Sequence, residues 1–149
     1  MPYNFYGAQT AGNVKVKNSI YKNIQTPLDL YDALSSIWCA DTCAPRMRLE
    51  WSEENRTLGQ CSITAFLAQD IFGGEVYAMP TDNGGVHCYN VIDGYTFDLT
   101  SEQFGERART LNYEGNELQE RESAMHFGKE EKRQRYEYLK EQLWLMKNS

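Results

Sequence analysis

One stretch limits what this chain can become. From Leu58 to Gly74 it reads Leu-Gly-Gln-Cys-Ser-Ile-Thr-Ala-Phe-Leu-Ala-Gln-Asp-Ile-Phe-Gly-Gly. Ile63, Phe66, Leu67 and Phe72 recur at spacings that place them on one side of a helix. The Gly73-Gly74 pair supplies the stop, because glycine accepts the left-handed conformation that follows many helix ends. Cys61 then falls in the first turn, where unpaired N–H groups and the positive end of the macrodipole favour a thiolate. The segment predicts a buried helix with a nucleophile at its start. The plainer alternative is that Cys61 is a small buried apolar residue.

The rest of the chain arranges itself around that helix. With 149 residues, a single domain over 1–149 is expected, large enough for a core without staples. Residues 1–26 are polar and aromatic and read as an irregular N-terminal arm with a short strand at Asn13 to Val16. Thr26 and Pro27 read as the cap and first turn of a helix running from Leu28 to Trp38. Residues 39–58 form a long connection leading straight into Cys61, placed to wall a cleft. Glu75 to Pro80 and Val86 to Ile92 read as strands, with a turn over 81–85. Asp93-Gly94 is a two-residue hairpin signal, and Tyr95 to Thr100 returns as a third strand. Ser101 to Phe104 reads as a helical turn and 105–115 as loop. The charge-dense end predicts helix from Lys129 to Met146, with Gly128 separating an earlier short helix and the charges forming a solvated face.

Charge narrows the class of partner. The 21 acids outnumber the 15 Lys and Arg, giving a formal charge of −6, which argues against a general nucleic-acid or anionic-membrane surface. No apolar run approaches the length of a membrane span, and the first residues lack the form of a signal peptide. A cytoplasmic protein is the expectation, with Cys39, Cys43, Cys61 and Cys88 reduced. Neither glycine pair forms a phosphate or dinucleotide loop, so no cofactor is expected.

The hairpin carries a geometric argument. A two-residue turn pairs Ile92 with Tyr95, and counting back sets Tyr89 opposite Asp98 and His87 opposite Thr100. Side chains alternate, so His87 and Asp98 share a face as diagonal neighbours about 7–8 Å apart at the backbone. The other face, with Val86, Cys88, Ile92, Tyr95, Phe97 and Leu99, and Asn90 as its polar exception, is the better core face. A carboxylate beside His87 fixes its tautomer and stabilises its protonated form. If the start of the Cys61 helix docks here, Cys61, His87 and Asp98 become nucleophile, base and orienter. Gln60, Asn55 and the backbone N–H of Cys61 are candidate oxyanion donors, and Trp51 and Asn90 candidate substrate contacts. His126 reads as a solvent-exposed residue. The rival constellation is a zinc site drawn from Cys39, Cys43, Cys61 and His87 or Cys88, although the tight Cys-x2-Cys pair is missing.

Trp51-Ser-Glu-Glu-Asn-Arg-Thr-Leu-Gly-Gln-Cys-Ser-Ile-Thr-Ala, Gln69-Asp-Ile-Phe-Gly-Gly-Glu, His87-Cys-Tyr-Asn90 and Asp98-Leu-Thr-Ser-Glu-Gln-Phe104 resemble the bacterial YunG-like proteins, a functionally uncharacterised family. The resemblance covers about residues 28 to 145. The order of Cys-helix, His-strand and Asp-strand is also similar to papain-like and transglutaminase-like cysteine hydrolases. That similarity implies an α+β, papain-like domain: a Cys-bearing helix on a small antiparallel sheet, with a helical C-terminus. It implies a peptidase, deamidase or transglutaminase-like acyltransferase using Cys61, His87 and Asp98 on a peptide, protein or small amide. Gln60 adjoins the cysteine instead of preceding it by several residues, a departure from papain-like enzymes. The alternatives are a non-catalytic binding module on the same scaffold and a zinc-stabilised structural domain.

Overall fold

The computed structural model describes residues 3–82, 85–121 and 130–148. Its centre is a helix, α3, that begins at Cys61 and ends at Phe72. Nine of its twelve residues are buried, so it is enclosed on nearly all sides and not merely along one stripe. Gly73 closes it at φ 81°.

Before it come α1 (Ala8–Ala11) and α2 (Pro27–Leu34). Thr26 caps α2 by accepting from Leu28 N, while Asp29 accepts from Thr26 N at 3.2 Å, completing a capping box. The helix stops at Leu34, short of the expected Trp38. Ser35 donates its hydroxyl to Tyr31 O at 2.8 Å, a side-chain bond that competes with the helical ladder. The apolar stripe survives this early end. Trp38 is 1% exposed, and its indole N–H donates to Thr64 Oγ1 of α3 at 3.0 Å.

Four strands form one antiparallel sheet in the order β3-β2-β1-β4: β1 Glu75–Pro80, β2 Val86–Ile92, β3 Tyr95–Phe97 and β4 Glu117–Gln119. Asp93 (φ 55°) and Gly94 (φ 84°) make the expected turn, and Ile92 pairs with Tyr95. The face carrying Cys88, Asn90, Ile92 and Phe97 is buried. Asn90 Nδ2 donates from it to Ala65 O of α3 at 2.9 Å, which shows that this face meets the central helix.

Three features depart from the sequence reading. β3 ends at Phe97, so the ladder stops at Asn90–Phe97, and Tyr89–Asp98 and His87–Thr100 never pair. Asp98 gives its backbone N–H to Tyr6 O instead, at 2.9 Å, in an isolated bridge to the N-terminal residues. No strand forms at 13–16, and Phe5, Ala11, Val14, Tyr21 and Ile24 are core residues. The charged segment opens as β4, because its backbone completes the outer edge of β1, although its side chains are mostly exposed.

Residues 101–110 wind as 3-10 helix with a non-helical break at Gly105. Two shorter 3-10 turns, Ala40–Thr42 and Pro45–Glu50, occupy the long connection. The last helix, α4 (Glu130–Asn148), packs Tyr136, Leu139 and Leu143 inward and leaves Met146 42% exposed. His126, Gly128 and turn positions 83–84 lie outside the described residues. No described helix is long and apolar enough to cross a membrane.

Gly74 and Gly94 share a positive φ but not surroundings. A Cβ on Gly74 would meet Val91 O at 2.7 Å and Ile92 Cα at 2.8 Å, whereas one on Gly94 meets nothing within 4 Å. Gly94→Ala is therefore expected to cost about 1 kcal/mol, the left-handed strain alone. Gly74→Ala is expected to cost roughly 2–4 kcal/mol, because backbone crowding adds to that strain. Urea-unfolding midpoints of the two variants check the ordering.

Candidate active site

Cys61 is the first residue of α3 and is partly exposed. Its N-cap residue, Gln60, makes no side-chain cap bond, so the leading N–H groups of the helix stay unclaimed by the cap. The sulfur lies against the second strand. The Cys88 thiol donates to it, His87 adds a hydrogen-bonding and coulombic pull, and the Cys88 N–H contributes. These outweigh desolvation and hold the Cys61 pKa well below 9.0. The same contact pushes Cys88 well above the usual thiol value, with burial acting in the same direction. Cys61 is thus the thiolate of the pair, and Cys88 keeps the proton.

Behind the sulfur stands the histidine. His87 Nε2 and Asp98 Oδ2 are 2.6 Å apart, and each side chain is 1% exposed. A carboxylate can only accept, so Nε2 carries the hydrogen, leaving Nδ1 toward the thiol side. Nδ1 is buried and makes no fully formed hydrogen bond, so it is the group left free for Cys61. Burial pulls the His87 pKa down, but Asp98 and then Cys61 overcome it and carry it up to about 10. Asp98 is well supplied with donors: Thr100 N at 3.2 Å and Thr100 Oγ1 at 3.4 Å on Oδ1, and Tyr113 Oη at 2.7 Å on Oδ2. Tyr113 stacks on Tyr6 and meets Tyr89 edge-on, while Phe104 lies edge-on to His87 at 4.8 Å. The His87 face is therefore buried too, under an aromatic cover.

Cys61 and His87 line a cavity of about 490 Å³ whose wall includes Pro45 and Met47 from the long connection. Lys132 and Arg135 of α4 and Gln103 complete it. The structure does not bring the other four sequence candidates there. Gln60 is fully buried and donates Nε2 to Cys39 O at 3.2 Å. Asn55 donates to Gln103 O at 3.4 Å and Trp51 to Arg56 O at 2.9 Å. Asn90 is spent on α3, as described above. Among the described residues, no group of three or more His, Cys, Asp or Glu side chains is placed to hold a metal ion, so the zinc set is not assembled there.

Tyr113, Cys88 and Lys132 escaped the sequence reading of the site. Cys88 was legible only as a core or zinc residue, since strand alternation turns it from His87 while the edge-on approach of α3 reaches both. Tyr113 sits in an irregular segment with no periodic signal. Thr100 had a local signal, because an aspartate two residues before an N–H commonly accepts from it.

The two shifted groups set opposite slopes of stability with pH. The His87 contribution is whole below 6.5 and is lost as pH rises through about 10. The Cys61 contribution is whole above 9.0 and is lost as pH falls through its depressed value. The slopes oppose each other between 6.5 and 9.0. The melting temperature is expected to be level up to about pH 8 while Cys61 stays ionised and His87 protonated, with Lys132 adding its own titration above that. In Cys61→Ser the histidine slope is unopposed from 6.5 up to about 8, where Lys132 begins to titrate, so a fall is expected to start near pH 6.5, which calorimetry across pH can check.

Residues 26–146 match the family model described as YunG protein. A 55-residue stretch is 46% identical to the "Uncharacterized protein YunG" of Bacillus subtilis (strain 168), covering 37% of this chain and 47% of that relative. The aligned stretch thus spans about half of the relative's length. No solved structure matches the chain. A family match over so much of the sequence makes the assignment plain: this chain belongs to the YunG protein family.

Proposed function

We propose that the chain is a cysteine-dependent hydrolase or acyltransferase on a papain-like α+β scaffold, with Cys61 as nucleophile, His87 as acid and base, and Asp98 as the orienting carboxylate. The observation that carries this reading is the convergence of a thiolate-favouring Cys61 with a histidine whose far nitrogen is held at 2.6 Å by a buried carboxylate, beside an accessible cavity. Separation of charge between Cys61 and His87 is the resting state such chemistry needs.

The steps follow from those groups. The thiolate attacks the carbonyl carbon of a peptide or amide, a C–S bond forms, and the carbonyl oxygen takes up the negative charge. Unclaimed N–H groups at the start of α3 are the donors for that oxygen. His87 then gives its proton to the departing nitrogen as the C–N bond breaks, leaving a thioester on Cys61. Water or an amine, deprotonated by His87, attacks the thioester and releases the acyl product with the thiolate restored. Asp98 keeps the imidazole oriented throughout and stays ionised.

Iodoacetamide at neutral pH is expected to alkylate Cys61 faster than Cys39, Cys43 or Cys88, as read by peptide mass mapping. A para-nitrophenyl ester should give a burst of nitrophenol and an acyl adduct on Cys61. Cys61→Ser should remove the adduct, and His87→Gln should slow its formation by about 10²–10⁴-fold, the usual share of general acid–base catalysis. A faster thiol elsewhere, or an adduct that persists in Cys61→Ser, would refute the assignment.

A further inference from the structure

The cavity beside Cys61 has a charge opposite to that of the chain. The protein as a whole carries −6, yet Arg46, Lys132 and Arg135 all line this space. Among the described residues the one carboxylate in the lining, Glu131, is taken by Arg135, whose Nε donates to it at 2.5 Å. Arg135 is further committed to Thr42 O at 2.9 Å. Lys132 and Arg46 differ: among the described residues neither has a hydrogen bond or a salt bridge. Arg46 is exposed at the rim, whereas Lys132 is half-buried. The thiolate and imidazolium cancel each other, so the described lining keeps an excess of positive charge.

A half-buried ammonium with no counter-ion is a costly arrangement unless something negative arrives to pair with it. We infer that Lys132 is a specificity residue that recognises a carboxylate on the acyl substrate of Cys61, so that the preferred substrates are anionic acyl compounds. The inference rests on the reading of Cys61 as nucleophile. Burial lowers the Lys132 pKa to about 8, against a weaker upward pull from Cys61 and Cys88, so the side chain is still mostly cationic at pH 7. Met47, Val86 and Phe104 give the apolar remainder of the wall, suited to the carbon skeleton of such a compound.

Two reagents that differ by one charge test this. Iodoacetate and iodoacetamide alkylate the same sulfur, but only iodoacetate is anionic. Second-order rates at Cys61 would be measured at pH 7 for the wild-type protein, Lys132→Gln and Lys132→Arg. A changed thiolate fraction affects both reagents alike, so the ratio of rates isolates recognition of charge. The iodoacetate-to-iodoacetamide ratio is expected to fall about threefold to tenfold in Lys132→Gln and to recover in Lys132→Arg. Added salt should lower the wild-type ratio and leave that of Lys132→Gln nearly level. Rapid iodoacetamide labelling of Cys61 with the same ratio in wild type and Lys132→Gln would overturn the role of Lys132 and leave the nucleophile standing. Slow labelling by both reagents in the wild-type protein would overturn the nucleophile, and the inference with it.

Discussion

Everything at this site leans on one buried contact, the 2.6 Å bond between His87 and Asp98. Taking two ionisable groups out of water is costly, and their attraction offsets that cost only when remaining lone pairs are also satisfied. Thr100 and Tyr113 do this for Asp98, and Tyr113 is held in turn by its stack on Tyr6. The imidazole is thereby locked by one nitrogen and left with the other free. A histidine whose second nitrogen was spent on another structural partner would be inert, and one with no partner would be an ordinary titrating group. With one strong partner, it can transfer a proton at a fixed place.

The central helix was legible because three independent signals agree: apolar spacing, a glycine stop and a chain entry just before Cys61. The hairpin turn was legible from Asp93-Gly94 alone. What failed was extrapolation from that turn. Register fixes pairing only as far as the ladder runs, and this one ends at Phe97. His87 and Asp98 still meet because their side chains were already aimed at one face. The sequence argument therefore named two side chains that do meet, through a ladder that is only partly present. Gln60 was misread for a different reason. Adjacency in sequence says little about direction at a helix start, and its amide turns back to Cys39 while Cys61 turns outward. The roles of Cys88 and Lys132 beside Cys61 could not be read, since both depend on how separate elements dock. Lys132 sits in a charge run that looks like a solvated face and for the most part is one.

Enclosure of α3 explains why its N-terminal residue is held in a fixed place. The helix is held by α4 and by strands β1 and β2, so its first turn is fixed in place without a side-chain cap. A cap would have stabilised the helix by about 1 kcal/mol while occupying N–H groups that here stay unclaimed by a cap side chain. Tertiary packing supplies the rigidity that a cap supplies elsewhere, and the helix end stays open.

The bridge from Tyr6 to Asp98 has a consequence for where the working unit stops. Family similarity starts at residue 26, yet the backbone of Asp98, whose side chain fixes the histidine, is bridged to Tyr6, twenty positions earlier. Evolutionary outline and mechanical outline do not coincide. A chain trimmed to the matched region would retain all three polar groups of the site and lose the hand that holds one of them.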